Sequence, residues 1–154
     1  MRILIVDDSE QPLRELESIL GSMGHEIVGM ARNGQDGVTL YRRLQPDVVV
    51  MDLIMPRMTG LEALQSIRQQ DPDARVVMVC SLNSCSAAFE AERQGASYFI
   101  TKPFEKLRLR IIFDKLACEV AAAPKHSKPA PGASAAAQDS TPRRLFRPTL
   151  LKSH

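Results

Sequence analysis

No apolar run in these 154 residues approaches the roughly 18 needed to cross a bilayer, which excludes a membrane-spanning helix. The N-terminus offers only Ile3 to Val6 before two aspartates, too short for a signal-peptide core, so no secretory leader is expected. Cysteine is scarce, at three, and without metal-ligand spacing. An odd, unpatterned set fits a reducing cytoplasm rather than a disulfide framework. The three histidines, His25, His126 and His154, share no ligand spacing and receive no role. A helix-turn-helix pattern is also missing, so no nucleic-acid binding is expected.

What is present divides at about residue 120. Residues 1–120 carry 14 Lys+Arg against 17 Asp+Glu, whereas residues 121–154 carry six basic residues and a single acid, Asp139. The second stretch also holds five of the ten prolines, and Phe146 is its one aromatic residue. Such a segment buries too little apolar surface to offset its ordering entropy. The division is therefore a domain over 1–120 and a disordered Ala/Pro-rich basic tail over 121–154. The tail's last part, Arg143 to Lys152, interleaves arginine with Leu145, Phe146, Leu150 and Leu151. It reads as a solvated tail or as a short docking peptide on a flexible linker.

Within 1–120, short β-branched runs alternate with helical periodicity. Arg2–Val6, Glu26–Met30, Asp47–Met51, Arg75–Cys80 and Ser97–Thr101 read as strands. Between them Leu13, Leu16, Ile19 and Leu20 share one helix face, with Ser9 as its cap. A second helix runs through Val38, Leu40, Tyr41 and Leu44 after an Asn33-Gly34 turn. The third starts at Thr59 or Gly60, the fourth covers Ser84 to Arg93, and a fifth carries Leu109, Ile112, Phe113 and Leu116. Strand and helix alternating five times predict a doubly wound α/β parallel sheet with helices on both faces.

In such a sheet the binding crevice lies beyond the carboxyl ends of the strands. Asp7-Asp8, Asp52, Cys80-Ser81 and Lys102 all fall at strand ends. Taken singly, paired aspartates often only cap a helix, and a Lys-Pro is usually a solvated loop. Together, three carboxylates repel unless a hard divalent cation neutralises them. A lysine opposite can hold a phosphoryl oxygen, and an ionised aspartate is a competent nucleophile toward phosphorus. The set reads as metal-assisted aspartyl-phosphate chemistry.

Three stretches carry a family resemblance: Ile3 to Ser9, Asp52 to Gly60, and Gly95 to Phe104. On these the chain resembles the receiver domain of bacterial two-component response regulators, nearest the stand-alone chemotaxis type. The resemblance implies a flavodoxin-like five-stranded sheet of order 2-1-3-4-5. It makes Asp52 the phosphoacceptor and Lys102 the phosphoryl-binding lysine. Phe99 becomes the switch aromatic, and the peptide bond before Pro103 is expected to be cis. Mg²⁺ is expected on Asp7, Asp8, Asp52 and the backbone carbonyl of Ile54. It further implies a signalling switch rather than a turnover enzyme. The donor would be a histidine kinase or phosphotransfer protein, and a downstream protein would bind the face built by helix four, strand five and helix five.

One departure stands out. The family's switch hydroxyl falls on Cys80, with Ser81 next, and a thiol is the weaker donor. Ser81 substitutes if the loop slips by one residue. Without an effective switch, the alternative is a degenerate receiver that binds proteins independently of phosphorylation. A phosphohydrolase of the haloacid-dehalogenase type needs Asp-x-Asp, and Leu53-Ile54 after Asp52 disfavours it. Cys80 and Cys85 sit five apart around one loop, a spacing that admits a redox pair or simply two small thiols, and Cys118 is expected to pack. Ile54 and Leu82, two residues past Asp52 and Cys80, are expected to form an apolar lid that slows hydrolysis.

Overall fold

The computed structural model describes residues 1–81 and 85–124, apart from the side chains of residues 85 and 86. Leu82, Ser84, the Cys85 side chain and residues 125–154 of the tail lie outside the described residues. The elements alternate as β1 Arg2–Val6, α1 Glu10–Ser22, β2 Glu26–Ala31, α2 Gly34–Leu44, β3 Val48–Asp52, α3 Gly60–Gln70, β4 Val76–Cys80, α4 Cys85–Arg93, β5 Tyr98–Thr101 and α5 Lys106–Ala122. All strand pairs are parallel, in the order β2-β1-β3-β4-β5. This is the doubly wound α/β sheet that the alternation and the resemblance imply.

Alternating side chains along each strand feed two cores. On one face Leu4, Val49, Met51, Val76 and Met78 pack under α2, α3 and α4 through Val38, Tyr41, Leu64, Ile67 and Ala91. On the other, Ile3, Ile5, Val50, Val77 and Ile100 meet α1 and α5 through Leu16, Leu20, Leu109, Phe113 and Leu116. Each fully buried large apolar side chain contributes about 1.5–3 kcal/mol, so the two cores hold the crossovers tightly against the sheet. β3 and β4 are buried at every position, as central strands must be, while β2 at the edge is buried only at Ala31. Among the described residues no helix is long and apolar enough to cross a membrane.

The helix starts differ in how they are capped, and the differences bear on the strand ends. At α3 a capping box forms, in which Thr59 and Glu62 satisfy each other's backbone N–H groups. At α2 the Asn33 side chain accepts from Asp36 N, so Asn33 serves as a cap rather than the corner of a turn. Ser9 stands at the N-cap of α1 but makes no side-chain cap bond. Its own backbone N–H instead donates to Asp7 Oδ1 at 2.9 Å, a turn built by the aspartate.

The last helix also differs from expectation. α5 continues through Ala121 and Ala122, two residues past the boundary drawn at Val120. Alanine has the highest helix propensity, and Arg75 donates to the carbonyls of Glu119 and Ala123 at 3.2 and 2.9 Å, which satisfies the helix end. Cys118, expected to pack, is exposed, because the core side of α5 is filled by Leu109, Ile112, Phe113 and Leu116.

Candidate functional site

Asp7 follows β1, Asp52 is the last residue of β3, and Lys102 follows β5. The register sets Val6 beside Met51, so Asp7 and Asp52 are level, and it sets Val79 beside both Asp52 and Ile100, so Lys102 lies two positions farther along and reaches back to them. Lys102 Nζ donates to Asp7 Oδ2 at 2.7 Å and to Asp52 Oδ1 at 2.9 Å. Asp8 is exposed at the rim, and one carboxylate oxygen from each of Asp7, Asp8 and Asp52 lies within 4.8 Å of the others.

Two of these acids are buried, Asp7 at 1% and Asp52 at 7% exposure. A buried carboxylate needs a counter-charge, and Lys102 supplies one shared between both. The balance shows in the acidities. Burial pushes the Asp52 carboxyl above its ordinary value, against the pull of Lys102 and of the Ile54 N–H and with added repulsion from Asp7. For Lys102, burial works against its charge, but hydrogen bonds to Asp7 and Asp52 win and hold the ammonium above its usual value. A single lysine thus leaves the cluster short of positive charge. The donors are hard carboxylate oxygens close enough to share one small cation, and that is the set Mg²⁺ takes. The residues fit the metal.

The Asp52 carboxylate is held at both oxygens. Ile54 N donates to its Oδ2 at 3.2 Å while Lys102 holds its Oδ1. Its backbone is pinned as well: Leu53 N donates to Val79 O, and Gly60 N returns to Leu53 O at 3.0 Å. A Cβ added at Gly60 would stand 2.1 Å from the Asp52 carbonyl oxygen. A Cβ at Gly34 would come within 2.8 Å of the Met58 carbonyl oxygen. The β3–α3 loop therefore lies between two helix starts that leave no room for side chains, and Arg57 turns it with a φ of 70°. Neither glycine was assigned a site role in the sequence. Their positions beside helix caps were the available signal, but the close approach itself has no local signature.

The switch candidates stand as follows. Cys80 ends β4, is buried, and its thiol donates to Ile100 O at 3.7 Å. Lys102 N donates to Cys80 O at 2.9 Å, which ties the two strand ends together. Ser81 is exposed immediately beyond the strand. Phe99 lies in β5, partly buried against the core that contains Cys80. Ile54 is 64% exposed, so its side chain lies outside the core. The Lys102–Pro103 peptide bond is cis, as expected.

Comparison with known proteins matches this geometry. The family model "Response regulator receiver domain" matches residues 3–114. The chain is 38% identical over 108 residues to the chemotaxis protein CheY of Thermotoga maritima, covering 70% of this chain and 90% of that protein. It is 41% identical over 108 residues to CheY of Bacillus subtilis, with the same coverage. A solved CheX–CheY complex with BeF3 and magnesium from Borrelia burgdorferi superposes with a TM-score of 0.69 at 30% identity, over 79% of this chain and 89% of that one. The chain belongs to the response regulator receiver family, the CheY-like signalling domains that accept a phosphoryl group on an aspartate.

Proposed function

We propose that Asp52 is the phosphoacceptor of this receiver and that a histidine kinase or phosphotransfer protein is its donor. The carrying observation is the pair of contacts from Lys102 Nζ to Asp7 and Asp52, with Asp8 beside them at the rim. In the transfer, Asp52 Oδ attacks phosphorus and a new O–P bond forms. The P–N bond to the donor imidazole breaks, and its electron pair stays on that nitrogen. Lys102 moves from its carboxylate partners toward the phosphoryl oxygens and neutralises charge there. Asp7, Asp8, Asp52 and the Ile54 carbonyl would hold Mg²⁺, which when bound supplies electrostatic stabilisation to the transferring group.

Phosphorylation then shifts affinity for a downstream protein at the face of α4, β5 and α5, with Phe99 and the Cys80–Ser81 segment reading the new group. The reading places the protein in the cytoplasm. Cys80 supports a second reading, a binding module that works without phosphorylation, because a buried thiol bonded to a backbone carbonyl is a poor donor to phosphoryl oxygen.

Incubation with acetyl phosphate and Mg²⁺ followed by a phosphate-affinity gel separates the two readings. The switch requires a shifted band in wild type that is lost in Asp52→Asn. An unshifted wild type, under conditions that label a known receiver, favours the module. Labelling that persists in Asp52→Asn would move the acceptor elsewhere.

A further inference from the structure

The first turn of α2 carries two glycines. Gly34 and Gly37 are three residues apart, hence on one face of the helix, and both are buried. Glycine is the poorest helix former after proline, so alanine would serve the helix itself better at either position. The neighbours explain the choice. A Cβ at Gly34 would stand 2.7 Å from Met58 Cγ and 2.8 Å from the Met58 carbonyl oxygen. A Cβ at Gly37 would stand 3.0 Å from both methyl carbons of Val6.

Met58 belongs to the loop that runs from Asp52 past Ile54 to α3, and Val6 is the residue before Asp7. The strand ahead of α2 reaches the same place, since Asp7 N donates to Ala31 O, at the end of β2, at 3.1 Å. The start of α2 thus bears on both segments that carry the acids, the one ending in Asp7-Asp8 and the one beginning at Asp52. Its own first turn is firmly closed: Asn33 Oδ1 accepts from Asp36 N at 2.8 Å, and Gly37 N donates to Asn33 O at 3.0 Å.

We propose that Gly34 and Gly37 are positioning residues for the cation site, with the first turn of α2 setting how far the Asp7-Asp8 segment stands from the Asp52–Ile54 segment. This rests on the reading of Asp7, Asp8, Asp52 and the Ile54 carbonyl as the Mg²⁺ ligands. Mg²⁺ demands near-ideal octahedral geometry at about 2.0–2.1 Å, so a small error in that spacing is felt as lost affinity. Each glycine acts through its neighbour. A methyl at position 34 needs about 0.6 Å of relief from a backbone oxygen, which moves only with the loop, and a methyl at position 37 presses on Val6 and so on Asp7.

Mg²⁺ titration of the full chain, followed by NMR amide shifts beside urea unfolding, tests this without phosphorylation. Gly34→Ala should weaken Mg²⁺ binding about 10-fold, the scale on which groups that orient metal ligands act. Gly37→Ala should weaken it several-fold, and the loss should largely disappear in a Val6→Ala background, because the two Val6 methyls are the contacts its added methyl makes too closely. Gly29→Ala is the control for packing alone. Its methyl would lie 2.8 Å from Leu44 Cδ1, at the far end of α2, so it should lower the urea midpoint and leave the Mg²⁺ affinity unchanged. If Gly34→Ala does not fold, Gly37→Ala, with its milder contacts, decides the matter through its Val6→Ala cycle. Folded glycine variants that bind Mg²⁺ like wild type, a Gly37→Ala loss that persists undiminished in the Val6→Ala background, or an equal loss in Gly29→Ala would each overturn the proposal and leave the phosphoacceptor assignment standing. A wild type that binds no Mg²⁺ would overturn the ligand set itself, and this proposal with it.

Discussion

Gly60→Ala isolates how tightly Asp52, the proposed phosphoacceptor, is positioned. The added methyl would sit 2.1 Å from the Asp52 carbonyl oxygen and 2.9 Å from Leu53 Cα, where ordinary contact begins at 3.4 Å. Both opposing atoms are backbone, so no flexible side chain can yield. Relief requires the start of α3 and the end of β3 to separate by about 1.3 Å, a shift passed directly to Asp52. Overpacking of this kind costs about 1–3 kcal/mol, within the reserve of an ordinary domain. A displacement of about 1 Å at a reacting atom, however, costs on the order of 100-fold in rate. The assay is the initial rate of phosphorylation by acetyl phosphate with Mg²⁺, beside urea unfolding of the same preparation. The expected result is a folded variant with an unchanged urea slope, a lower midpoint and a rate reduced about 10- to 100-fold. Gly21→Ala is the control, since nothing lies within 4 Å of its added methyl, and it should leave the rate unchanged. A folded Gly60→Ala that is phosphorylated at the wild-type rate would refute the argument that this contact sets the nucleophile's place.

Lys102→Ala removes the counter-charge of two buried carboxylates and should destabilise the domain by about 2 kcal/mol near pH 8, while slowing phosphorylation. The raised Asp52 carboxyl means the folded state takes up a proton more readily than the unfolded one. Repulsion in the variant is therefore relieved as pH falls through that raised value, and the urea midpoints of variant and wild type should converge as the pH is lowered from about 8; a constant gap would contradict the charge argument. Cys80→Thr supplies a stronger donor at the end of β4 and should increase partner binding by the phosphorylated form in a pull-down or titration. If Ser81→Ala eliminates the response and Cys80→Thr changes nothing, the switch position belongs to Ser81. Ile54→Asn, alone or with Leu82→Glu, should shorten the lifetime of the phosphorylated state, since the exposed Ile54 offers no hydrogen bond to orient water. An unchanged decay would remove the apolar lid.

The elements were legible because their signals are local. Uninterrupted β-branched runs such as Val48–Met51 form strands wherever both sheet faces are covered, and the 3.6-residue spacing of Leu13, Leu16, Ile19 and Leu20 specifies which side of α1 is buried. Even the meeting of Asp7, Asp52 and Lys102, 95 residues apart at the extremes, followed from a topological rule, since parallel strands must deliver their carboxyl ends to one edge. Magnesium-type chemistry could be read from the residue kinds alone.

Other features depended on distances that no local pattern encodes. That Lys102 divides itself between Asp7 and Asp52 depends on how level β1, β3 and β5 finish, which the ladder register decides. Ser9 makes no side-chain cap bond, and its backbone N–H instead closes a turn on Asp7 Oδ1, a geometry set by where β1 ends. Cys118 faces outward because four larger residues already filled the core side of α5, a competition visible only once the helix is docked. Composition and periodicity determined which segments form and which ends assemble, because propensity and burial act over a few residues. Tertiary packing alone decided the contact of Gly60 on the Asp52 carbonyl and that of Gly34 on the Met58 carbonyl, because a close approach depends on where every other side chain has let two elements come to rest.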